Sequence, residues 1–308
     1  MTSAFSLLSA ASAPGSTINE DAYGLWPTDA APRAAWVLDG VTGINDRALL
    51  PGPSDAAWFV AQVQEVLPAL LSTAPTMPIT GLLGALVRAL QHRQAVAWID
   101  PCSADDRETP AASFTLARLL GDEIEIARLG DCLVLLESMD GAVTVLEHPV
   151  LRQIEAQTRR AILDLRSVGV TEPRQIRQRL MPDLRAQRRR RNQVDGYGVL
   201  AAEESCLSMI AVECRPLHAL RRVLLASDGY YRLVDHYGAM SDMDLVRETS
   251  RQGADALIGQ LRALEAEDPL GIRHPRLKIS DDATALLIEV GETSGPVGFA
   301  ADGSFKPF

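Results

Sequence analysis

Five places in this 308-residue chain set carboxylates against the ends of strongly apolar runs. Glu20 and Asp21 stand between "FSLLSAAS" and "AYGLW", and Asp39 closes "AAWVLDG" just ahead of Gly40. Asp131 follows Gly130 after "EIEIARL", Asp228 follows "VLLAS" ahead of Gly229, and Asp281 and Asp282 open "DDATALLI". Strand ends are rigid, so carboxylates there keep fixed separations. Gathered at one sheet edge they repel each other, and each would rise in pKa unless a cation intervened. Hard oxygen donors with no His or Cys cluster nearby favour Mg²⁺ or Mn²⁺ over zinc. A glycine beside the acid lets a backbone carbonyl approach a metal unobstructed. Any single Asp-Gly pair reads more simply as a turn. Five recurrences, each beside an apolar strand, are harder to dismiss.

The elements that must position these acids follow from patterning. Short runs rich in Val, Ile and Leu, bounded by turn residues, predict strands. They are "FSLLSAAS", "AYGLWP", "AAWVLDG", "ASFTLARLLGD", "EIEIARLGDCLVLLES" as two strands, "AVTVLEH", "CLSMIAVEC", "RRVLLASDG" and "DATALLIEV". Gly121-Asp122 and Asp140-Gly141 sit between such runs as hairpin turns do. Helical spacing predicts a first helix opened by Ser54 and Asp55 and a second after Pro75 and Pro78, forming an antiparallel pair. One long helix is predicted from Ser241 to Asp268, and the stretch 150–192 reads as helical with breaks near Gly169 and Pro173. Strands, a helix pair, hairpin-spaced strands, a helical insert and a closing strand make an α+β pattern with mainly antiparallel sheet.

Composition narrows the classes. At 47% hydrophobic and 23% charged the chain is ordinary for a soluble globular protein. A net charge of −10 argues against a general nucleic-acid binder, since phosphate backbones select Lys and Arg. Between Arg152 and Arg191, however, twelve Arg and four acids give a local charge of +8. Cys102, Cys132, Cys206 and Cys214 show no CxxC spacing and read as reduced thiols of a cytoplasmic protein. No apolar run is long enough for a membrane helix. His148 reads as a strand-end residue, and Trp26, Trp36, Trp58 and Trp98 as core.

In order, "NEDA" (19–22), "VLDGVTG" (37–43), "RLGDC" (128–132), "LLASDG" (224–229) and "DDAT" (281–284) resemble the motifs of the metal-dependent protein phosphatases, the type 2C serine/threonine phosphatases. The resemblance spans roughly residues 5 to 290. It implies a phosphatase domain over 1–290 carrying the insert 150–192, with a tail over 291–308. It further implies an αββα sandwich of two mainly antiparallel sheets flanked by helix pairs, with a binuclear Mg²⁺ or Mn²⁺ centre at one edge. Asp39 would bridge both ions. Asp228 and Asp281 would serve one, and Glu20 and the Gly40 carbonyl the other. Asp21 would orient the metal ligands by hydrogen bonding, and Asp131 would belong to a weak third site. A metal-bound hydroxide would attack the phosphorus of a phosphoserine or phosphothreonine protein in line.

The chain departs from that pattern at five positions. Ser16 stands where the family carries a phosphate-binding Arg. Val41 and Thr42 replace a His or Met and a Gly. Arg232 stands where an Asp would complete the third metal site, and Asp282 replaces an Asn. Arg232 is therefore expected to oppose a third ion, and either to take over the phosphate-binding role or to face solvent from a helix. The Arg-rich insert occupies the place of the family's flap, where it would steer acidic phosphoproteins, form a solvated helix or contact the protein's own acidic face. The expected activity is a Mg²⁺- or Mn²⁺-dependent protein phosphatase. The alternatives are a catalytically weak relative that binds phosphoproteins or a regulatory partner, and a small-molecule phosphoesterase.

Overall fold

The computed structural model describes residues 3–41, 43, 48–99 and 109–292. Thr42, Cys102 and the tail beyond 292 lie outside the described residues. Two antiparallel sheets stack face to face. The first has the order β1 (Ser3–Ala13), β11 (Ala283–Glu292), β10 (Leu220–Ala226), β6 (Leu133–Ser138), β7 (Val143–Leu146). The second runs β2 (Asp21–Trp26), β3 (Ala34–Gly40), β4 (Ala111–Leu120), β5 (Glu123–Leu129), β9 (Ala211–Pro216), with the short β8 (Leu200–Ala201) on β4.

Period-two alternation explains why the sheets are buried on both faces. Along β3, Ala34, Trp36 and Leu38 face the helices α1 (Asp55–Thr73) and α2 (Ile79–Ala97), while Ala35 and Val37 face the other sheet. On β10 and β11, Val223, Leu225, Leu286 and Ile288 fill the space between the sheets. Leu224, Ala226, Ala285 and Leu287 face the helices α5 (Asp228–Asp235), α6 (Asp242–Gln252) and α7 (Ala254–Glu267). The αββα sandwich expected from the motifs is therefore present. Ser54 caps α1 as its position predicts, accepting a bond from the Ala57 N–H.

Two elements depart from the expectation. "CLSMIAVEC" is not one strand. Its first part is a 3₁₀ turn, Glu204–Met209, where the Ser208 hydroxyl donates to the Ser205 carbonyl at 2.9 Å, a local bond that competes with extended backbone. The predicted long helix is two, α6 and α7. Gly253 lies between them at φ 90°, a conformation that ends a helix and that other residues rarely adopt. Arg232 does lie on a helix, the eight-residue α5.

The insert forms α3 (Pro149–Ser167) and α4 (Pro173–Arg188). It packs through Ile162, Ile176 and Leu180, with Leu277 against them. It is latched to the sandwich where Arg152 Nη1 meets Asp235 Oδ2 of α5 at 2.7 Å and the Arg152 guanidinium lies 5.5 Å from the Tyr231 ring centre. The insert is thus a docked flap, not a free solvated arm. His148 is the residue before α3, not part of a strand. Trp36 is 2% exposed, and Trp26 and Trp58 pack beside the same core. Cys132, Cys206 and Cys214 are free thiols, and Cys214 is exposed.

Candidate metal and phosphate site

The acids meet at the mouth of the gap between the sheets. Asp39 continues the side of β3 on which Ala35 and Val37 face the opposite sheet, and it pairs in register with Asp21 at the start of β2. Asp131 lies in the turn between β5 and β6, Asp228 opens α5 directly after β10, and Asp281 precedes β11. Asp39, Gly40, Asp131, Asp228 and Asp281 line one cavity of about 300 Å³. Glu20 lines the adjoining cavity, which shares Asp281, Lys278 and Arg177 with the first.

Local bonds hold these loops in place. Asp282, predicted only as an altered motif residue, accepts from the Gly15 N–H through Oδ1 and the Glu20 N–H through Oδ2, both at 2.7 Å. It therefore positions the acidic pair from the far end of the chain. The Gly40 N–H donates to the Glu20 carbonyl at 3.0 Å. Ser54, while capping α1, donates to Glu20 Oε1 at 2.5 Å. Gly229 cannot carry a side chain, because a Cβ there would lie 1.9 Å from the Asp282 carbonyl oxygen. That close approach brings Asp228 against Asp281.

The electrostatics record the crowding. Burial pushes the Asp39 carboxyl well above the usual range, and the charges of Asp21, Asp228, Asp131 and Asp281 push it further. Burial raises Asp21 to about 8, against a lowering influence of the Ser227 and Thr284 hydroxyls. Neither hydroxyl reaches hydrogen-bond geometry with it, and both Asp21 oxygens are buried without a partner, so the hydrogen bonds by which Asp21 was expected to orient the metal ligands are not formed. The hydroxyls are engaged elsewhere: Ser227 Oγ accepts from the Thr284 N–H at 2.9 Å, and Thr284 Oγ1 pairs with Ser12 Oγ at 2.7 Å. Asp228 is raised by burial to about 7 although Arg232 pulls it down. Its side chain is 38% open to the cleft, so solvent softens that shift. Asp131 accepts a short hydrogen bond from Ser113 Oγ.

Asp281 behaves differently. Burial would raise it, but Arg232 and then Lys278 outweigh that and hold it below the usual range. Arg232 Nη2 lies 2.7 Å from Asp281 Oδ2 and 3.9 Å from Asp228 Oδ2, and Lys278 Nζ lies 2.5 Å from Asp281 Oδ1. Arg232 thus does not face solvent, and its Nη1 is buried without a partner. Lys278 was missed by the motif reading. A signal existed: of thirty basic residues only Lys278 and Lys306 are lysine, and Lys278 stands three residues before a motif aspartate.

Whether these residues fit divalent ions divides by side. Around Asp39, the acids that crowd it and the unpartnered Asp21 oxygens are what a cation would relieve. At Asp281 both oxygens already contact fixed cations. Among the described residues, no group of three or more His, Cys, Asp and Glu side chains stands close enough to hold one ion. The flap closes over this mouth. Val41 and, from α3, Val150, Leu151 and Ile154 pack against one buried cluster of Ala111, Tyr197, Val199 and Ala201, and Arg159, Arg177 and Arg188 line the cavity with the acids. Burial lowers Arg188 near Tyr197, Arg191 and Asp131.

A family model described as Protein phosphatase 2C matches residues 13–264. The chain belongs to the protein phosphatase 2C family. Among solved structures, the Mycobacterium tuberculosis serine/threonine phosphatase PstP/Ppp is 18% identical, with a TM-score of 0.54 over 94% of this chain and 99% of that one. The catalytic domain of PstP in complex with two manganese ions gives 18%, 0.53, 94% and 100%. The phosphatase Stp1 from Staphylococcus aureus is 11% identical, with a TM-score of 0.53 over 94% of this chain and 95% of that chain. At such identities the likeness carries the fold. No curated protein matches the sequence. No helix among the described residues is long and apolar enough to cross a membrane.

Proposed function

We propose that this 2C-family protein is a Mg²⁺- or Mn²⁺-dependent phosphatase of phosphoserine and phosphothreonine proteins in the cytoplasm. The convergence of Asp39, Asp131, Asp228 and Asp281 on one cavity under an arginine-bearing flap carries the reading. Asp39, the Gly40 carbonyl and Glu20 would hold the divalent ion, which when bound supplies Lewis-acid activation of water and charge neutralisation at phosphorus. Asp21, paired in register with Asp39, offers two buried oxygens without a partner to a water or ion held by its neighbours. Arg232 donates from its unpartnered Nη1 to a phosphate oxygen, and Arg177 does the same from the flap, on the side where Ser16 leaves no cation.

The direct test is hydrolysis of an aryl phosphate and a phosphothreonine peptide with Mn²⁺ or Mg²⁺ added back after chelation. Turnover of both, lost in chelator, is the expected result. Absence of turnover with any divalent ion overturns the enzyme reading. In that case the second reading stands, a phosphoprotein-binding module, for which the two cations on Asp281 are the specific argument. Cleavage of the aryl phosphate alone would indicate a small-molecule substrate.

Arg177→Ala should raise KM for the peptide about tenfold, as expected for one lost charge-assisted hydrogen bond, with kcat changed less than about twofold. An unaltered KM in a steady-state assay would remove Arg177 from substrate binding.

A further inference from the structure

We propose that this chain holds one divalent ion rather than two, and that Arg232 and Lys278 bracket Asp281 in place of the second. The inference rests on the metal-dependent reading above and concerns only how many ions that site takes.

The geometry is specific. Each oxygen of Asp281 faces its own cation, Oδ2 the Arg232 guanidinium at 2.7 Å and Oδ1 the Lys278 ammonium at 2.5 Å. Asp281 and Arg232 are largely buried, with 14% and 16% of their side chains exposed, so these charges sit in a low-dielectric setting. A second ion on the Asp228 and Asp281 side would have to take an Asp281 oxygen from one cation and then stand beside both. Arg232 cannot step aside easily, and Lys278, 37% exposed, would have to give up its bond to Asp281. Arg232 is fixed by its place in the first turns of α5 beside Asp228, four residues earlier. Lys278 is tied to Asp281 three residues ahead on the same loop and feels Asp39 and Asp228 as well.

The Asp39 side suits an ion that keeps much of its water, since Mg²⁺ commonly binds through one or two carboxylates. Arg232 then has a double role, because Nη2 replaces a metal on Asp281 while Nη1 remains without a partner.

Metal stoichiometry tests this without any activity assay. The full-length chain, stripped with chelator and loaded with Mn²⁺, is measured by calorimetric titration, elemental analysis and electron paramagnetic resonance. One Mn²⁺ per chain with the spectrum of an isolated ion is expected. Asp281→Asn should still bind one ion with affinity changed less than about threefold, whereas Asp39→Asn should bind none tightly. Lys278→Met, checked for folding by circular dichroism, should move the stoichiometry from one toward two. Two tight sites with a spin-coupled spectrum in the unaltered chain would overturn the one-ion inference and leave the metal-dependent function standing. No tight site at all would overturn the metal-dependent reading itself. Loss of the single ion in a folded Asp281→Asn protein would overturn the bracketing role.

Discussion

Asp39→Asn is expected to lower kcat on an aryl phosphate by about 1,000-fold or more, the scale of several kcal/mol that a metal ion contributes to charge stabilisation. The same substitution should leave the melting temperature of the metal-free protein near neutral pH within about 3 °C of the unaltered chain. The reason is electrostatic. In the metal-free state burial and four neighbouring acids already push the Asp39 carboxyl well above the usual range, so the neutral form it favours is close in shape and charge to asparagine. The pairing with Asp21 along β3 is a backbone feature and survives the change. A melting curve beside the activity assay separates lost chemistry from lost fold. Retention of more than a tenth of the activity would remove Asp39 from the reaction.

The second large effect concerns pH. Asp21 rises by burial to about 8, and Asp228 to about 7, from an ordinary carboxylate value of 3.8. A folded-state value above the unfolded one means that the folded chain holds a proton the unfolded chain has released. Stability from these groups is therefore complete below about pH 4 and is lost as pH climbs toward 7 to 8. For Asp21 the slope is at most about 1.4 kcal/mol per pH unit, which is several degrees in melting temperature. Asp228 adds less because its side chain opens to the cleft. Asp281 works in the opposite sense, since its lowered value protects only above the ordinary range and is lost in acid. Thermal melts of chelator-treated protein from pH 5 to 8 should show the decline, and saturating Mn²⁺ should flatten it. A melting temperature that rises with pH in the metal-free protein would contradict this account of the acidic mouth.

Much of the molecule was legible because its core obeys a simple period. The alternation in "AAWVLDG" assigns Trp36 to one layer and Val37 to another, and the next residue on the Val37 side is Asp39. The ordered acids then pointed to one sheet edge, and the structure brings them there. What stayed hidden was non-local or short. The eight residues of α5 are too few for helical periodicity to show, so Arg232 could be imagined facing water. Lys278 lies in a loop whose path no local pattern dictates, and its role depends on meeting Asp281 inside a cleft closed by α3 and α4. Asp282 read as a mild substitution, yet its two oxygens anchor backbone more than 260 positions away. The break at Gly253 was masked by good helix formers on both sides, although a glycine in mid-helix was itself the clue.

The first strand and the last lie side by side, joined by backbone pairing from Ser3 opposite Glu292 to Ala13 opposite Ala283, and the Asp282 clasp closes the same seam. A growing chain leaves the ribosome with Glu20, Asp21 and Asp39 early and must wait for nearly everything else before that seam can zip. Until then β1 has an unpaired edge, and the acidic pair has nothing to hold it against the opposite sheet. Contacts so far apart in sequence also form slowly during folding. A chain still missing β11 therefore lacks the assembled acidic mouth on which the proposed function depends.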